Sequence, residues 1–551
     1  MASHRDTGSM ATPGHYSSKL LDHLGLVAGM YDELGIGGLI DRVLPQEVDK
    51  RKVSIGQAVK AMVLNGLGFT QRALYLTPLF FRDKPVERLI GEGIEAGHLN
   101  DDVLGRALDA IYAYGPDKLY PQLAVPAVKH LGLSGRFAHL DSTSFHVDGH
   151  YNSAEDGADE RVIHITQGYS RDHRPELNQV VLQLICERQA GIPLLMEPLS
   201  GNSTDLVSFR DTLRTHIAQL RQDVKIDYLI ADSALYSADT LQELTAVKWI
   251  SRVPATLSLA REMIQATAAE LMSNPAQAAC RSLGTMYAEV RQRWLVVYSP
   301  AAYQRALHTV NKRCRQRSDD EGKAFAQLCQ QEFACEADAR QALAAFEKTL
   351  QLSFVSDAQV TALARYRSKG RPARDRAPDF YVYRLEGQLA SNPAYRTRQL
   401  ERKSCFILAT NELDCTALSD PQLLAAYKDQ QQVERGFRFL KDPLFMASSL
   451  FLKSPQRLMA LMMVMTLCLL VYAALEYRIR DVLKAHQQTF PDQKGQACSN
   501  PTARWVFQYF SGIHLLIIAQ LQTLVLNLNA HHLALLRLLG QRYERLYSGD
   551  G

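Results

Sequence analysis

Hydrophobic residues change their period along this chain, and the changes divide it. From about Ser17 to Val128 apolar positions recur every three or four residues, as in Ile55 to Asn65, and Asn100-Asp101-Asp102 caps Val103 to Leu108, so this stretch reads as helical. Phe137 to Val147 then alternates like a short strand, with Asp141 in its middle and small hydroxyl residues after it. Asp227 to Ala231 reads as a buried strand ending at Asp232, followed by small residues that turn into a helix. Past Pro254 this order stops until about Arg402. Within that interval Ala260–Leu271 and Gly322–Leu352 have helical composition, whereas Tyr287–Tyr298 and Phe380–Leu385 alternate like strands, as does Phe406–Thr410 just beyond it.

Further on, Tyr427 to Lys441 has helical spacing. Tyr427, Gln430, Glu434, Arg438 and Lys441 fall on one stripe, and Val433, Phe437 and Leu440 fall on a neighbouring apolar one that can seat the helix on a core. Leu458 to Leu475 carries no charge and, at about 18 residues, reaches the lower limit of a membrane span. Thr466, Cys468 and Tyr472 interrupt it and basic residues flank both ends, so it reads as a buried core helix and no membrane partner is expected. Asn500 to Tyr547 has Leu and Ile at helical spacing, with Trp505, Phe507, Tyr509 and Phe510 at its start. It either completes a core or makes a dimer contact.

Composition adds limits. A chain of 551 residues with 46% hydrophobic content can bury several cores. Net charge is +4, so any polyanionic partner must be met by locally concentrated cations. One such concentration is Arg365 to Arg376, containing Arg365, Arg367, Lys369, Arg371, Arg374 and Arg376. Lys369-Gly370-Arg371-Pro372 within it is similar to a minor-groove hook, though it also reads as a solvated basic loop. Nine cysteines, an odd total with no Cys-x-x-Cys pair, argue against zinc and disulfides and for a reducing cytoplasm, which the resemblance given below implies is bacterial.

The candidate chemistry lies in three acids. An Asp within or ending an apolar strand is poorly solvated unless a cation meets it, so Asp141, Asp232 and Glu434 make a plausible cage for divalent metal. Each has an ordinary alternative: Glu434 with Arg438 is also an i,i+4 surface ion pair, and Asp232 also suits a helix N-cap.

The order strand Asp, strand Asp, then a helix with Tyr427, Glu434 and Lys441 at their spacing resembles the DDE transposases of bacterial insertion sequences, in the group with a Tyr-Arg-Glu-Lys signature. Arg438 matches a further basic position. Gln430 departs from the signature, which has Arg there to contact a phosphate, so that contact is either weaker here or supplied by another residue such as Arg435 or Lys428. The resemblance runs from about Phe137 to about Arg480. Within it, Val180–Cys186 and Ile192–Met196 look like the second and third strands of a meander, and Gly201-Asn202-Ser203-Thr204 opens the next helix.

The resemblance implies a ribonuclease-H-like α/β core, a mixed five-stranded sheet flanked by helices, interrupted by an inserted domain and preceded by an all-helical one. The roughly 200 residues between Asp232 and Glu434 are too many for one loop and agree with an insertion. The expected layout is a disordered leader over 1–14, a helical DNA-binding or dimerisation domain over 15–128, core over 129–256 and 403–480, insertion over 257–402 and a helical C-terminal region over 481–551. The implied activity is cut-and-paste transposition. Asp141, Asp232 and Glu434 are expected to hold two Mg²⁺, with Mn²⁺ as substitute. Tyr427, Gln430, Arg435, Arg438 and Lys441, with the cations of 365–376, are expected to meet double-stranded DNA, the protein acting as a homodimer. A metal-dependent nuclease without joining activity, or a non-catalytic DNA-binding protein, are the alternatives.

Overall fold

The computed structural model describes residues 16–45, 51–70, 73–147, 161–170, 174–273, 280–367, 376–442, 445, 452, 454–518 and 522–549. The chain forms two compact units, Met1–Ile250 with Pro421–Gly551, and Ser251–Asp420.

The first unit opens with β1 (Tyr16–Leu20), then α1 (Leu24–Glu33), α2 (Ile36–Val43), α3 (Ile55–Leu67), α4 (Thr77–Phe81), α5 (Val86–Leu89), α6 (Asp101–Tyr114) and α7 (Pro116–His130). Ser54 and Gln57 form a reciprocal capping box at the start of α3, and Asn100 accepts from the Val103 amide to start α6, so the expected starts hold. Next come β2 (Phe137–His146), β3 (Gln179–Glu187), β4 (Pro193–Ser200), α8 (Asp205–Val224), β5 (Tyr228–Ala231), α9 (Ala238–Glu243) and β6 (Lys248–Arg252). The five strands stand in the order β4-β3-β2-β5-β6, with β2–β3 and β3–β4 antiparallel and β2–β5 parallel. This is a ribonuclease-H-like arrangement: a three-strand meander whose first strand lies at the centre, extended on its other side by a strand that returns through a helix.

The second unit holds α10 (Ser258–Ser273), β7 (Cys280–Tyr287), β8 (Val290–Tyr298), α11 (Pro300–Gln330), α12 (Glu336–Glu347), β9 (Ser353–Arg365), β10 (Phe380–Ser391), α13 (Pro393–Ser404) and β11 (Cys405–Thr410). Strands β7, β8 and β11 pair antiparallel, while β9 and β10 form a separate long ribbon. α11 is longer than its composition suggested. β7 and β9 carry too few buried positions to show in the sequence, since both alternate only between half-exposed and exposed residues.

α14 (Asp420–Lys428) and α15 (Gln431–Leu440) return the chain to the first unit. α16 (Pro455–Ala485) is its common core helix, packed on α1, α3, α6, α7, α15 and β4. It is long and apolar enough to cross a membrane, yet 94% of its most apolar window is buried inside the protein. Then follow β12 (Phe490–Pro491), β13 (Ala497–Cys498), α17 (Ala503–Tyr509), β14 (His514–Ile518), β15 (Gln522–Leu526), α18 (Ala530–Leu539) and α19 (Gln541–Leu546). The C-terminal region is therefore not wholly helical: β14 and β15 form a hairpin that pairs with β1, a strand in the stretch expected to be all helix. The runs Leu515–Ile518 and Leu524–Leu526 are too short for period to separate helix from strand; the remote partner β1 decides.

Candidate active site

β2 is the central strand and nearly all of it is buried. Its midpoint Asp141 is 9% exposed, and its Oδ1 accepts from the Ser142 amide at 2.8 Å. Leu140 pairs with Ala231 on parallel β5, so Asp141 and Asp232, one residue further on each strand, stand side by side at adjacent-strand spacing. Asp232 Oδ1 accepts from the Ala234 amide at 2.9 Å and closes the turn after β5. It is not a helix cap, because Ser237 caps α9.

The third acid comes from α15. Val433, Phe437 and Leu440 are buried and Glu434, Arg435 and Arg438 exposed, as the stripes predict. Gly436 brings the helix close to α16, where an added Cβ would lie 3.1 Å from Leu469 Cδ2. Tyr427 to Lys441 is not one helix, however. α14 ends at Lys428, the Gln430 amide bonds back to Tyr427 O, and Gln430 is the N-terminal cap of α15. Asp429 at this break takes the Arg188 Nε at 2.5 Å, tying the approach to α15 to the residue after β3.

Despite the break, the residues converge. Asp141, Asp232, Tyr427, Gln430, Glu434, Arg438 and Lys441 line one cleft of about 500 Å³ with Ser142, Thr143 and Phe437. The ion pair Glu434–Arg438 does not form among the described residues; Arg438 Nε reaches the Glu434 backbone carbonyl instead, at 3.5 Å. Lys441 lies 6.0 Å from the centre of the Phe145 ring. Beneath Asp141, on the same face of β2, His139 is fully buried. Burial, with the nearby Arg188 guanidinium, pushes its imidazole down to about 3.

Other expected contacts lie elsewhere. Arg435 lines a neighbouring groove of about 780 Å³ and Lys428 lines neither, so neither of these two candidates lines the cleft beside Gln430. Of the basic segment, Lys369, Arg371 and Arg374 lie outside the described residues. Arg365 pairs with Glu332, and Arg376 with Asp379 at 3.1 Å; the Arg367 amide bonds to Asp379 at 2.8 Å. Trp294 is buried in β8, its indole donating to Gln292 at 2.9 Å. Ser142 and Thr143 were signalled only as small hydroxyls after an acid. The pair Arg188–Asp429 spans 241 positions and had no signal in the sequence.

The donor set fits a divalent cation: two adjacent Asp carboxylates and a Glu in one cleft are hard oxygen ligands. Among the described residues, no three His, Cys, Asp or Glu side chains are already gathered closely enough to enclose an ion.

Residues 134–471 match the family described as "Transposase DDE domain", and residues 16–125 match one described as "Domain of unknown function (DUF4277)". No curated protein is similar in sequence at a significant level. Among solved structures, the chain is similar to a piggyBac transposase in a synaptic complex with hairpin DNA, at 9% identity over 90% of this chain and 82% of that one. The TM-score of 0.36 is too low for that likeness to carry an argument.

Proposed function

The chain belongs to the transposase DDE domain family, and from that premise we propose that it is a cut-and-paste DNA transposase acting on the inverted-repeat ends of an insertion sequence in the bacterial cytoplasm. The observation that carries this reading is the meeting of Asp141, Asp232 and Glu434 in one cleft with Arg438, Lys441 and Tyr427. Carboxylates alone repel a phosphodiester; cationic and hydroxyl side chains on the adjoining helix give it a place to bind.

Asp141, Asp232 and Glu434 would hold two divalent cations, Mg²⁺ or Mn²⁺, which when bound supply an activated water and charge for a leaving oxygen. Arg438 and Lys441 hold phosphate oxygens, and Tyr427 fixes the strand beside them. Hydrolysis breaks the bond between phosphorus and the 3′ oxygen and frees a 3′-OH at the end of the element. That hydroxyl then displaces a 3′ oxygen from a target phosphodiester, so one bond forms and one breaks without an outside energy source. The seven helices before β2 are the proposed end-recognition or dimerisation region, and the ribbon β9–β10, whose connection is the basic segment 365–376, is a proposed DNA contact. A homodimer would bring two ends together.

The test is cleavage and joining of labelled duplexes carrying the element's ends, in Mg²⁺. Wild type is expected to cut and join, and Glu434→Gln to bind DNA while doing neither, a loss of at least about 10³-fold. Chelation should abolish both steps and Mn²⁺ restore them. Equal activity in wild type and variant would overturn the carboxylate assignment; cutting without joining would identify a nuclease.

A further inference from the structure

The groove on the far side of α15 is not used by the chemistry above. It adjoins the acid cleft, because Arg438 lines both. Its walls are α15, the second half of α16, the β3–β4 turn and the start of α17.

The charges of this groove do not cancel. Three acids line it, and each already faces a cation: Asp442 pairs with Arg504, Glu476 with Arg480 at 2.7 Å, and Asp481 lies 3.9 Å from Arg478. Arg435, Arg438 and Lys484 line the groove as well, all exposed, and among the described residues none of the three has a carboxylate partner. Arg435 and Arg438 are three residues apart, about one helical turn, and Lys484 faces the same space from α16. Phe439, Tyr472 and Tyr477, each half-buried, line the same groove. A cationic wall along an aromatic floor suits a single nucleic-acid strand, with the cations on its phosphates and the rings against its bases or sugars. At about 780 Å³ the space is that of a small-ligand pocket and takes a few nucleotides of one strand.

We propose that this groove binds the single strand that continues from the scissile phosphate, with Arg435, Arg438 and Lys484 on its backbone. The inference rests on the transposase reading and names where the substrate runs after it leaves the acids. It also gives Arg435 a role on that outgoing strand, distinct from the phosphate contact that Gln430 forgoes.

The experiment is fluorescence anisotropy in chelator, with no cleavage involved, on an end duplex carrying a short single-stranded extension and on the same duplex blunt. Wild type should bind the extended DNA more tightly. In Arg435→Gln/Lys484→Gln that preference should disappear, with affinity for the extended DNA about tenfold lower and blunt DNA unaffected. Two lost single-strand phosphate contacts should also make the plot of log K against log salt shallower by about 1.4. Both side chains are exposed, so the thermal midpoint should not move, and Arg435→Lys/Lys484→Arg should restore the preference. Equal weakening of both DNAs, no weakening, or failure of the charge-conserving pair to restore would overturn the groove assignment. Failure of the transposase reading shows separately, in Mg²⁺, as wild type that cuts the end duplexes without joining them or does neither.

Discussion

His139 lies two positions before Asp141 on one face of β2, and among the described residues neither ring nitrogen has a hydrogen-bond partner. Unfolded, the imidazole titrates near 6.5, and in the fold it is pushed down to about 3, mainly by burial. Between those values the unfolded chain holds a proton that the folded one does not, so stability falls as pH drops from about 6.5 towards 3. His139→Leu should flatten that fall, and thermal melts across this window would show it; parallel curves for the two proteins would refute the account. At Gln430 the cleft has an uncharged side chain where the resembled signature has Arg. Gln430→Arg is expected to tighten binding of end duplexes several-fold and steepen the salt dependence by about 0.9, one phosphate contact. An unchanged salt slope in a titration series would mean that position 430 does not face the backbone.

The break between α14 and α15 places the third acid. Arg188 and Asp429 are each about one third exposed, so their ion pair adds on the order of 1 kcal/mol or less to stability. Its effect should instead appear in positioning. Arg188→Ala and Asp429→Ala are each expected to slow cleavage by about tenfold with little change in melting temperature, and the double variant should be no slower than either single one, because both remove the same contact. Single-turnover rates of the three variants decide this; additive losses would show that the residues act separately.

In the first unit α1 and the segment around α19 meet. Tyr547 Oη donates to Asp22 O at 2.6 Å and accepts the Leu26 amide at 3.3 Å, while Tyr543 Oη donates to Glu33 at 2.7 Å. Gly25 and Gly29 of α1 make room for these rings: an added Cβ would lie 2.6 Å from the Tyr547 ring and 2.6 Å from that of Tyr543. Tyr547→Phe should cost α1 about 1 kcal/mol, because the Asp22 carbonyl loses its hydroxyl donor while the Leu26 amide keeps its 2.9 Å bond to His23 O, and hydrogen exchange in α1 is expected to quicken accordingly. Ending the chain at Gly540 removes α19 and uncovers α1, so limited proteolysis should then cut the N-terminal helices rapidly. Unchanged protection would mean that α19 is dispensable for them.

The sequence by itself determined the elements whose period is strong and local: the capped helices α3 and α6, the strand bearing Asp141, the amphipathic face of α15 and the uncharged length of α16. It also brought forward the three acids, since an acid among apolar residues is conspicuous in one dimension. Only the tertiary structure decided what depends on remote partners. The Asp429 that breaks the expected helix is held by an arginine 241 positions away, β14 and β15 are strands because β1 lies beside one of them, and Arg435 faces a different groove from Glu434. Period fixes which face a residue takes on its own helix, but which neighbour meets that face is set by packing between segments distant in the chain.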